Sequence, residues 1–227
     1  LDDAIKTLTW AANEGFKSFL MPHVAPDVDL PGLWSPEWDR LWASVQDLDL
    51  VVTQHGGNGT PDYGKDPASG VIFLMEVPFF AHRNLAHLTM SGVFERFPNL
   101  KYVMTEQGVA WAVEELRRMD AYHAQMKHGR VGELGFSADI GLPLKPSEYF
   151  DRNVWIGASF PSPGEAEAIK QLGTHKIMWG SDYPHHEGTY PYSTESLRRA
   201  FHSWDELEMK QVLSENAAEV YAFDLDA

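Results

Sequence analysis

Apolar and polar residues follow two recurring patterns along the chain, one with a helical period and one of short continuous runs. Within residues 3–14, Ile5, Leu8 and Ala12 fall on one face at helical spacing, which predicts an amphipathic helix. The apolar run over residues 16–21 that follows is typical of a short buried strand. The same two patterns then alternate to the end of the chain.

Five strands and a set of intervening helices are predicted from these patterns. After the first strand, further strands are predicted over 48–53, 100–105, 154–158 and 176–180. Helices are predicted from near Pro36, after Pro78, and over 109–122, 146–150, 164–172, 194–202 and 205–222. The stretches 24–36, 56–70 and 127–147 are predicted as loops, and 56–70 is long enough to cover a site.

The alternation of strand and helix implies an α/β fold with a parallel sheet and crossover helices. Two architectures fit five such strands: an open doubly wound sheet, or strands 4–8 of an eight-stranded TIM (β/α)8 barrel. A Gly-rich phosphate-binding fingerprint does not follow the first strand, which disfavours nucleotide binding. Because no linker or repeat divides the chain, a single domain over residues 1–227 is predicted.

Composition excludes several classes of partner and of chemistry. The chain carries 33 acidic and 18 basic residues, and its net charge of −15 argues against nucleic acid and anionic membranes as partners. Without cysteine it has neither disulfides nor thiolate chemistry. No signal peptide and no apolar run long enough to span a membrane are visible, so a cytoplasmic location is expected. The chain opens in a helical pattern without an initiator Met, and we expect it to be the later part of a longer polypeptide.

Polar side chains follow the predicted strands at the points where they end. His23, His55, Glu106 and Asp182 come after the first, second, third and fifth strands, and Ser159 follows the fourth. Because the carboxyl ends of parallel strands lie on one rim, separate strands can deliver imidazole and carboxylate groups to a single point. Zinc and similar ions take such ligands in catalytic sites.

Each of these residues also has a structural interpretation. Asp182 can cap the turn that follows its strand, and Glu106 can form an ion pair with a nearby arginine. His23 can be a surface or hydrogen-bonding histidine, while His185 and His186 can be ordinary loop residues. His55 precedes a Gly-rich loop, a context that favours function.

Three segments resemble the amidohydrolase-related (amidohydrolase 2) family, which includes aminocarboxymuconate-semialdehyde decarboxylase, the resorcylate-type decarboxylases, lactone hydrolases and a hydratase. The segment Trp179-Gly180-Ser181-Asp182-Tyr183-Pro184-His185 is similar to the last-strand motif of that family. Residues 91–101 are similar to its segment before strand six, and Asn216-Ala217-Ala218 fits its closing helix. The resemblance implies a metal-dependent (β/α)8 barrel, of which this chain contains strands 4–8.

The resemblance also implies roles for individual residues. His55 matches the fifth-strand metal ligand, and Asp182 matches the eighth-strand aspartate that binds metal and moves protons. Glu106 stands where the better-studied decarboxylases have a catalytic histidine. The resemblance therefore implies that the Glu106 carboxylate takes the acid/base role in this chain. His23 and His185 are expected to bind substrate. The family's first-strand His-x-His pair, two further metal ligands, is absent from this chain.

We therefore expect a zinc-dependent hydrolase or carbon–carbon lyase acting on a small carboxylated, cyclic substrate. Two alternatives remain at this point: a non-catalytic barrel fragment that serves binding or assembly, and a doubly wound binding domain. Five strands of a barrel leave two open sheet edges, which favour pairing with another chain and hence a homo-oligomer.

Overall fold

A computed structural model describes residues 1–26, 28–57, 59–137 and 140–225 of the chain. Asn58, in the predicted loop after the second strand, lies outside the described residues, as do Asp27, Ala138 and Asp139 in the other two predicted loops. Seven strands are present in this part of the chain: β1 (Ser18–Leu20), β2 (Val51–His55), β3 (Lys101–Thr105), β4 (Arg130–Val131), β5 (Leu134–Gly135), β6 (Val154–Ser159) and β7 (Ile177–Gly180).

The five predicted strands form one parallel sheet in the order β1-β2-β3-β6-β7. This arrangement confirms the parallel α/β architecture predicted from the alternation. Strands β4 and β5 form a separate antiparallel hairpin inside the stretch that was predicted to be loop. Two residues in each strand are too few for an alternating pattern to reveal them.

Ten helices are described, and most follow the predicted positions. They are α1 (Asp2–Asn13), α2 (Asp39–Asp47), α3 (Ser69–Met90), α4 (Val93–Arg96), α5 (Ala110–Lys127), α6 (Pro146–Asn153), α7 (Pro163–Leu172), α8 (Ser193–Ala200), α9 (Glu206–Lys210) and α10 (Asn216–Tyr221). A 3-10 turn over Pro36–Trp38 leads into α2, and a π-helical stretch over Gln211–Glu215 joins α9 to α10. In the described part of the chain, no helix has both the length and the apolar character needed to cross a bilayer.

Both faces of the sheet are apolar, and successive side chains along each strand point to the two faces in turn. Val52, Tyr102, Met104 and Ile156 lie on the face that packs into the main core with the helices. On the other face, a smaller cluster that includes α10 residues buries Val51, Val103, Met178 and Val220. Asn216 ties α10 to β7, because its side-chain amide donates to the carbonyls of Thr174 at 2.7 Å and Ile177 at 2.6 Å.

Several predicted boundaries were wrong: α5, for example, continues to Lys127 rather than ending at 122. Two others have a clear physical cause. Strand β2 begins at Val51 rather than Leu48, because Asp49 adopts a left-handed conformation (φ 51°) and turns the chain first. Helix α3 begins at Ser69 and continues through Pro78 rather than starting after it. Proline removes the hydrogen bond to the carbonyl four residues earlier. That carbonyl belongs to the exposed Leu74, so water can replace the lost donor.

Candidate functional site

Side chains from two strand ends and one loop converge at the carboxyl edge of the sheet. Glu106 follows β3, Asp182 comes two residues after β7, and His185 lies in the loop beyond it. One potential ligand atom from each residue lies within 4.8 Å of the others. Two carboxylates and one imidazole are therefore close enough together to bind a single divalent ion.

His55, the last residue of β2, joins this group through Glu106. The imidazole Nε2 of His55 lies 2.5 Å from Oε2 of the Glu106 carboxylate. Its Nδ1 lies 2.7 Å from the Gly56 carbonyl, which can only accept, so Nδ1 carries the donated proton. Nε2 is then the ring atom that faces Glu106, and a proton or a cation is needed between these two atoms. Metal-binding histidines commonly have this arrangement, with the second ring nitrogen bonded to a carbonyl.

Asp182 and His185 form the other half of the cluster. The Nδ1 atom of His185 lies 3.1 and 3.2 Å from the two carboxylate oxygens of Asp182. The Asp182 side chain is only 8% exposed, whereas that of His185 is 54% exposed. The hydrogen bond and the negative charge of Asp182 raise the pKa of His185 above its usual value. A carboxylate with little exposed surface is thus paired with an imidazole that reaches solvent.

Both carboxylates, those of Glu106 and Asp182, belong to residues with a left-handed backbone conformation. Glu106 has a φ of 58° and Asp182 a φ of 59°, conformations that are uncommon for residues other than glycine. The Glu106 N–H donates to the Gly157 carbonyl at 2.9 Å, so the residue stays attached to β6 while the chain turns. In the same turn, the Val109 N–H donates to Oε1 of Glu165 on α7 at 3.1 Å. Neighbouring elements therefore hold the unusual backbone at this site.

The loop after β7 folds back onto the strand end. The Thr189 N–H donates to the Ser181 carbonyl at 2.9 Å, and the His185 N–H donates to the Asp182 carbonyl at 2.9 Å. A Cβ atom on Gly188 would lie 2.7 Å from the Ser181 carbonyl oxygen and 2.9 Å from that of Asp182. Only glycine allows this close approach, which brings the loop backbone against the carbonyls of Ser181 and Asp182.

A cavity of about 270 Å³ opens beside His55 and Glu106. One wall comes from the strand ends and the other from α3, and the lining residues are His55, Gly56, Gly57, Phe73, Val77, Pro78, Ala81, His82, Glu106 and Gln107. The His82 ring stacks on Trp111 with centroids 3.8 Å apart, and its Nε2 donates to the Gln107 carbonyl at 3.1 Å. Burial lowers the pKa of His82. The cavity thus combines an apolar wall with the polar edge of the sheet.

His23 lies behind His55 and is buried. Its Nε2 donates to the backbone carbonyl of His55 at 2.6 Å, and its Nδ1 contacts the side-chain amide of Asn84 on α3. Burial lowers the pKa of His23, which favours this neutral form. Among the described residues that line the cavity, His23 does not appear.

The structure thus brings together four of the five residues that were given a role from the sequence: His55, Glu106, Asp182 and His185. Asn84 and His82 were not singled out, although both lie at this edge of the molecule. Both lie on α3, and nothing in their helical spacing separates them from ordinary core and surface positions.

Two kinds of comparison relate the chain to known proteins. A family model described as Amidohydrolase matches residues 4–223. Among solved structures, an amidohydrolase from Mycobacterium avium subsp. paratuberculosis K-10 is 23% identical, with a TM-score of 0.73 over 99% of this chain and 55% of its own. A 5-carboxyvanillate decarboxylase from Sphingomonas paucimobilis is 24% identical, with a TM-score of 0.74 over 97% of this chain and 63% of its own.

A third similar structure contains a metal ion. It is a 5-carboxyvanillate decarboxylase from Novosphingobium aromaticivorans DSM 12444 in complex with manganese, 22% identical, with a TM-score of 0.66 over 96% of this chain and 62% of its own. The chain therefore spans between 55% and 63% of the lengths of these three proteins. Together with the family match, the likeness confirms the predicted fold, a partial barrel of the metal-dependent hydrolase type, and excludes the doubly wound domain.

Proposed function

The chain belongs to the amidohydrolase family, and on that premise we propose that it is part of a metal-dependent hydrolase or decarboxylase acting on a small carboxylated, cyclic substrate. The observation that carries the proposal is the convergence of Glu106, Asp182 and His185 within 4.8 Å, with His55 against Glu106. Oxygen and imidazole donors in this number suit a divalent ion with an open position for substrate.

His55 and Asp182 are the proposed metal ligands, with Glu106 beside them. The Nδ1–H···O=C bond of His55 supports this assignment, since it leaves Nε2 available as a donor atom. A bound divalent ion would polarise a substrate oxygen or lower the pKa of a water molecule. We propose zinc, and the manganese found in the Novosphingobium relative makes that ion the alternative.

Asp182 and Glu106 are the proposed proton carriers. Asp182 lies within hydrogen-bonding distance of His185, so a proton can move between the carboxylate and the exposed imidazole. Glu106 borders the cavity and can hold or accept a proton at a substrate atom placed there. His185 is proposed to contact substrate because it is exposed. For His23, the bond to the His55 carbonyl favours a positioning role.

The cavity supports a cyclic substrate. Phe73, Val77 and Pro78 supply an apolar wall, and the His82–Trp111 stack closes one end. 5-Carboxyvanillate, named for the Sphingomonas relative, is therefore the first substrate to test. The second is 2,6-dihydroxybenzoate, named for a decarboxylase from Rhizobium that is 20% identical, with a TM-score of 0.72 over 100% of this chain and 68% of its own. The proposal also includes a single domain over residues 1–227 and a cytoplasmic location for the protein.

Elemental analysis and turnover test the proposal together. In the full-length protein, after incubation with zinc or manganese and dialysis, we expect about one ion per chain, and much less in Asp182→Ala. Turnover of the two aromatic carboxylates is expected to be abolished in the same variant. His186→Ala is the matched control, because it removes an exposed imidazole from the same loop.

Two results would contradict the proposal. Wild-type protein that binds neither ion would favour the non-catalytic barrel fragment. Metal that stays bound in Asp182→Ala with unchanged turnover would remove Asp182 from the site.

A further inference from the structure

The His82 ring on α3 is held by contacts with α5 and with the loop after β3. It stacks on the Trp111 indole, with ring centroids 3.8 Å apart and an angle of 8° between the two planes. Its Nε2 lies 3.1 Å from the Gln107 carbonyl oxygen, and Nε1 of Trp111 donates to the neighbouring Gly108 carbonyl at 3.3 Å. Both rings are therefore attached to the loop that begins with Glu106.

These contacts leave one ring atom of His82, Nδ1, for another partner. The Gln107 carbonyl can only accept, so Nε2 carries the proton and Nδ1 carries a lone pair. Burial lowers the pKa of His82, which favours this neutral form of the ring. In the described part of the chain nothing donates to Nδ1, and Nδ1 does not belong to the side-chain atoms that are both buried and unpaired. Because His82 lines the cavity beside Glu106, this lone pair is available to a molecule bound there.

Two polar side chains at the cavity offer acceptor atoms to a ligand. Glu106 contributes carboxylate oxygens, and His82 contributes Nδ1. The amide of Gln107 does not add a free donor, because its Nε2 already donates to the Gln54 carbonyl at 3.1 Å. In a cavity with an apolar wall, a few polar atoms of this kind fix the orientation of the ligand. Acceptors are satisfied by O–H groups, so the complementary ligand is a ring that carries hydroxyls.

We propose that His82 determines the substrate class: its Nδ1 accepts a hydrogen bond from a hydroxyl on the substrate ring, so that hydroxylated aromatic compounds are selected over those without a hydroxyl. The inference rests on the proposed function, since it concerns the substrate of the same site. A ring without a hydroxyl would cover Nδ1 and leave it unpaired, which costs binding free energy. The stack on Trp111 and the bond to Gln107 already hold the imidazole, so binding does not have to order it.

Binding of two nitro compounds to the full-length protein, after incubation with zinc or manganese, tests this role. 2-Nitroresorcinol has two ring hydroxyls and nitrobenzene has none, and neither can lose carbon dioxide, so calorimetric titration measures affinity without turnover. We expect the wild type to bind 2-nitroresorcinol more tightly, and the ratio of the two Kd values to fall by about tenfold in His82→Phe. Contacts of the hydroxyls with the metal ion are common to both proteins and cancel in the comparison.

Two companion variants separate hydrogen bonding from packing. His82→Asn places an amide oxygen near the position of Nδ1 and should keep more of the preference for 2-nitroresorcinol than His82→Phe does. A role in packing alone predicts the opposite order, because phenylalanine preserves the stack on Trp111. His87→Phe is the matched control, since His87 lies on the same helix against Trp34 and is not among the described residues that line this cavity. It should leave the ratio unchanged.

Two results would overturn the proposal. One is a Kd ratio in His82→Phe equal to that of the wild type, and the other is a wild type that binds both compounds with equal affinity. The second result needs no variant, so the test remains decisive if His82→Phe does not fold. The proposed function fails separately, through metal content and turnover: a preference that depends on His82, without turnover of either aromatic carboxylate, would contradict the reaction and support the assignment of His82.

Discussion

The Nε2 atom of His55 lies 2.5 Å from Oε2 of Glu106, so two neighbouring parallel strands end in directly paired side chains. The register explains the pairing, because His55 is opposite Thr105 and Glu106 is the next residue. With Nδ1 of His55 already bonded to the Gly56 carbonyl, the ring and the carboxylate must share a proton or a cation. This pairing makes Glu106 the residue whose charge most directly affects the proposed metal site.

Replacing Glu106 with glutamine should weaken metal binding. The Glu106→Gln side chain keeps the size but removes the negative charge beside Nε2 of His55, and we expect metal affinity to fall by at least about tenfold. Competition with a chelator measures the affinity. Glu114→Gln is the control, because Glu114 pairs with Arg117 on the exposed face of α5. Equal affinities in the two variants would exclude Glu106 from the site.

Replacing Asn84 with alanine should loosen the support behind His55. Asn84 contacts His23, which in turn donates to the His55 carbonyl. Loss of a buried hydrogen bond predicts a decrease of about 2 kcal/mol in the free energy of unfolding, measured by urea denaturation. The exposed Asn13→Ala on α1 should change it by less than about 0.5 kcal/mol. If the two variants are equally stable, the contact with His23 contributes nothing.

Sequence patterns were sufficient to predict which side chains meet at the strand ends, because parallel pairing brings the carboxyl ends of neighbouring strands to one edge of the sheet. His55, Glu106 and Asp182 were expected on one rim, and the structure places them there. The direction of a loop is not dictated in this way. His23 lies three residues beyond β1, and its position behind His55 is set by packing against Asn84, sixty-one residues later.

The cavity wall was missed for a related reason. Pro78 was interpreted as the start of a helix, so Phe73 and Val77 were left outside it. A proline inside a helix is disfavoured because it removes a backbone hydrogen bond, and Pro78 is tolerated because this turn of the helix is exposed to solvent. The error hid the wall of the cavity, since that wall depends on the first half of α3.

The loop after β7 provides a steric test of the Asp182 position. Gly188→Ala would place a Cβ atom against the carbonyl oxygens of Ser181 and Asp182, and the loop must then shift. We expect a several-fold loss of metal affinity with little change in thermal stability, because the loop is at the surface. Gly164→Ala on α7 is the control, as its Cβ would meet only the Ser162 hydroxyl at 3.8 Å. An unchanged affinity in Gly188→Ala would show that the loop does not position Asp182.

Lys176 should make the free energy of unfolding depend on pH in the alkaline range. Its side chain is 2% exposed, donates to the Asp151 carbonyl at 2.5 Å and lies over the Trp155 ring. Burial lowers the pKa of Lys176 from 10.5 to about 8. Below that pH both the folded and the unfolded chain hold the proton, and the folded state carries the full cost of a buried charge.

As the pH rises above about 8, the folded chain releases this proton while the unfolded chain still binds it. The unfolded state then holds more protons, so the free energy of unfolding increases with pH. Between about pH 7 and about pH 9.5 the contribution from Lys176 should grow by about 2 kcal/mol. Lys176→Met keeps the length of the side chain without its charge and should lack this increase. Urea denaturation of both proteins across that range measures the difference, in which the other titrating groups cancel. Parallel pH profiles for the two proteins would mean that Lys176 titrates as it does in the unfolded chain.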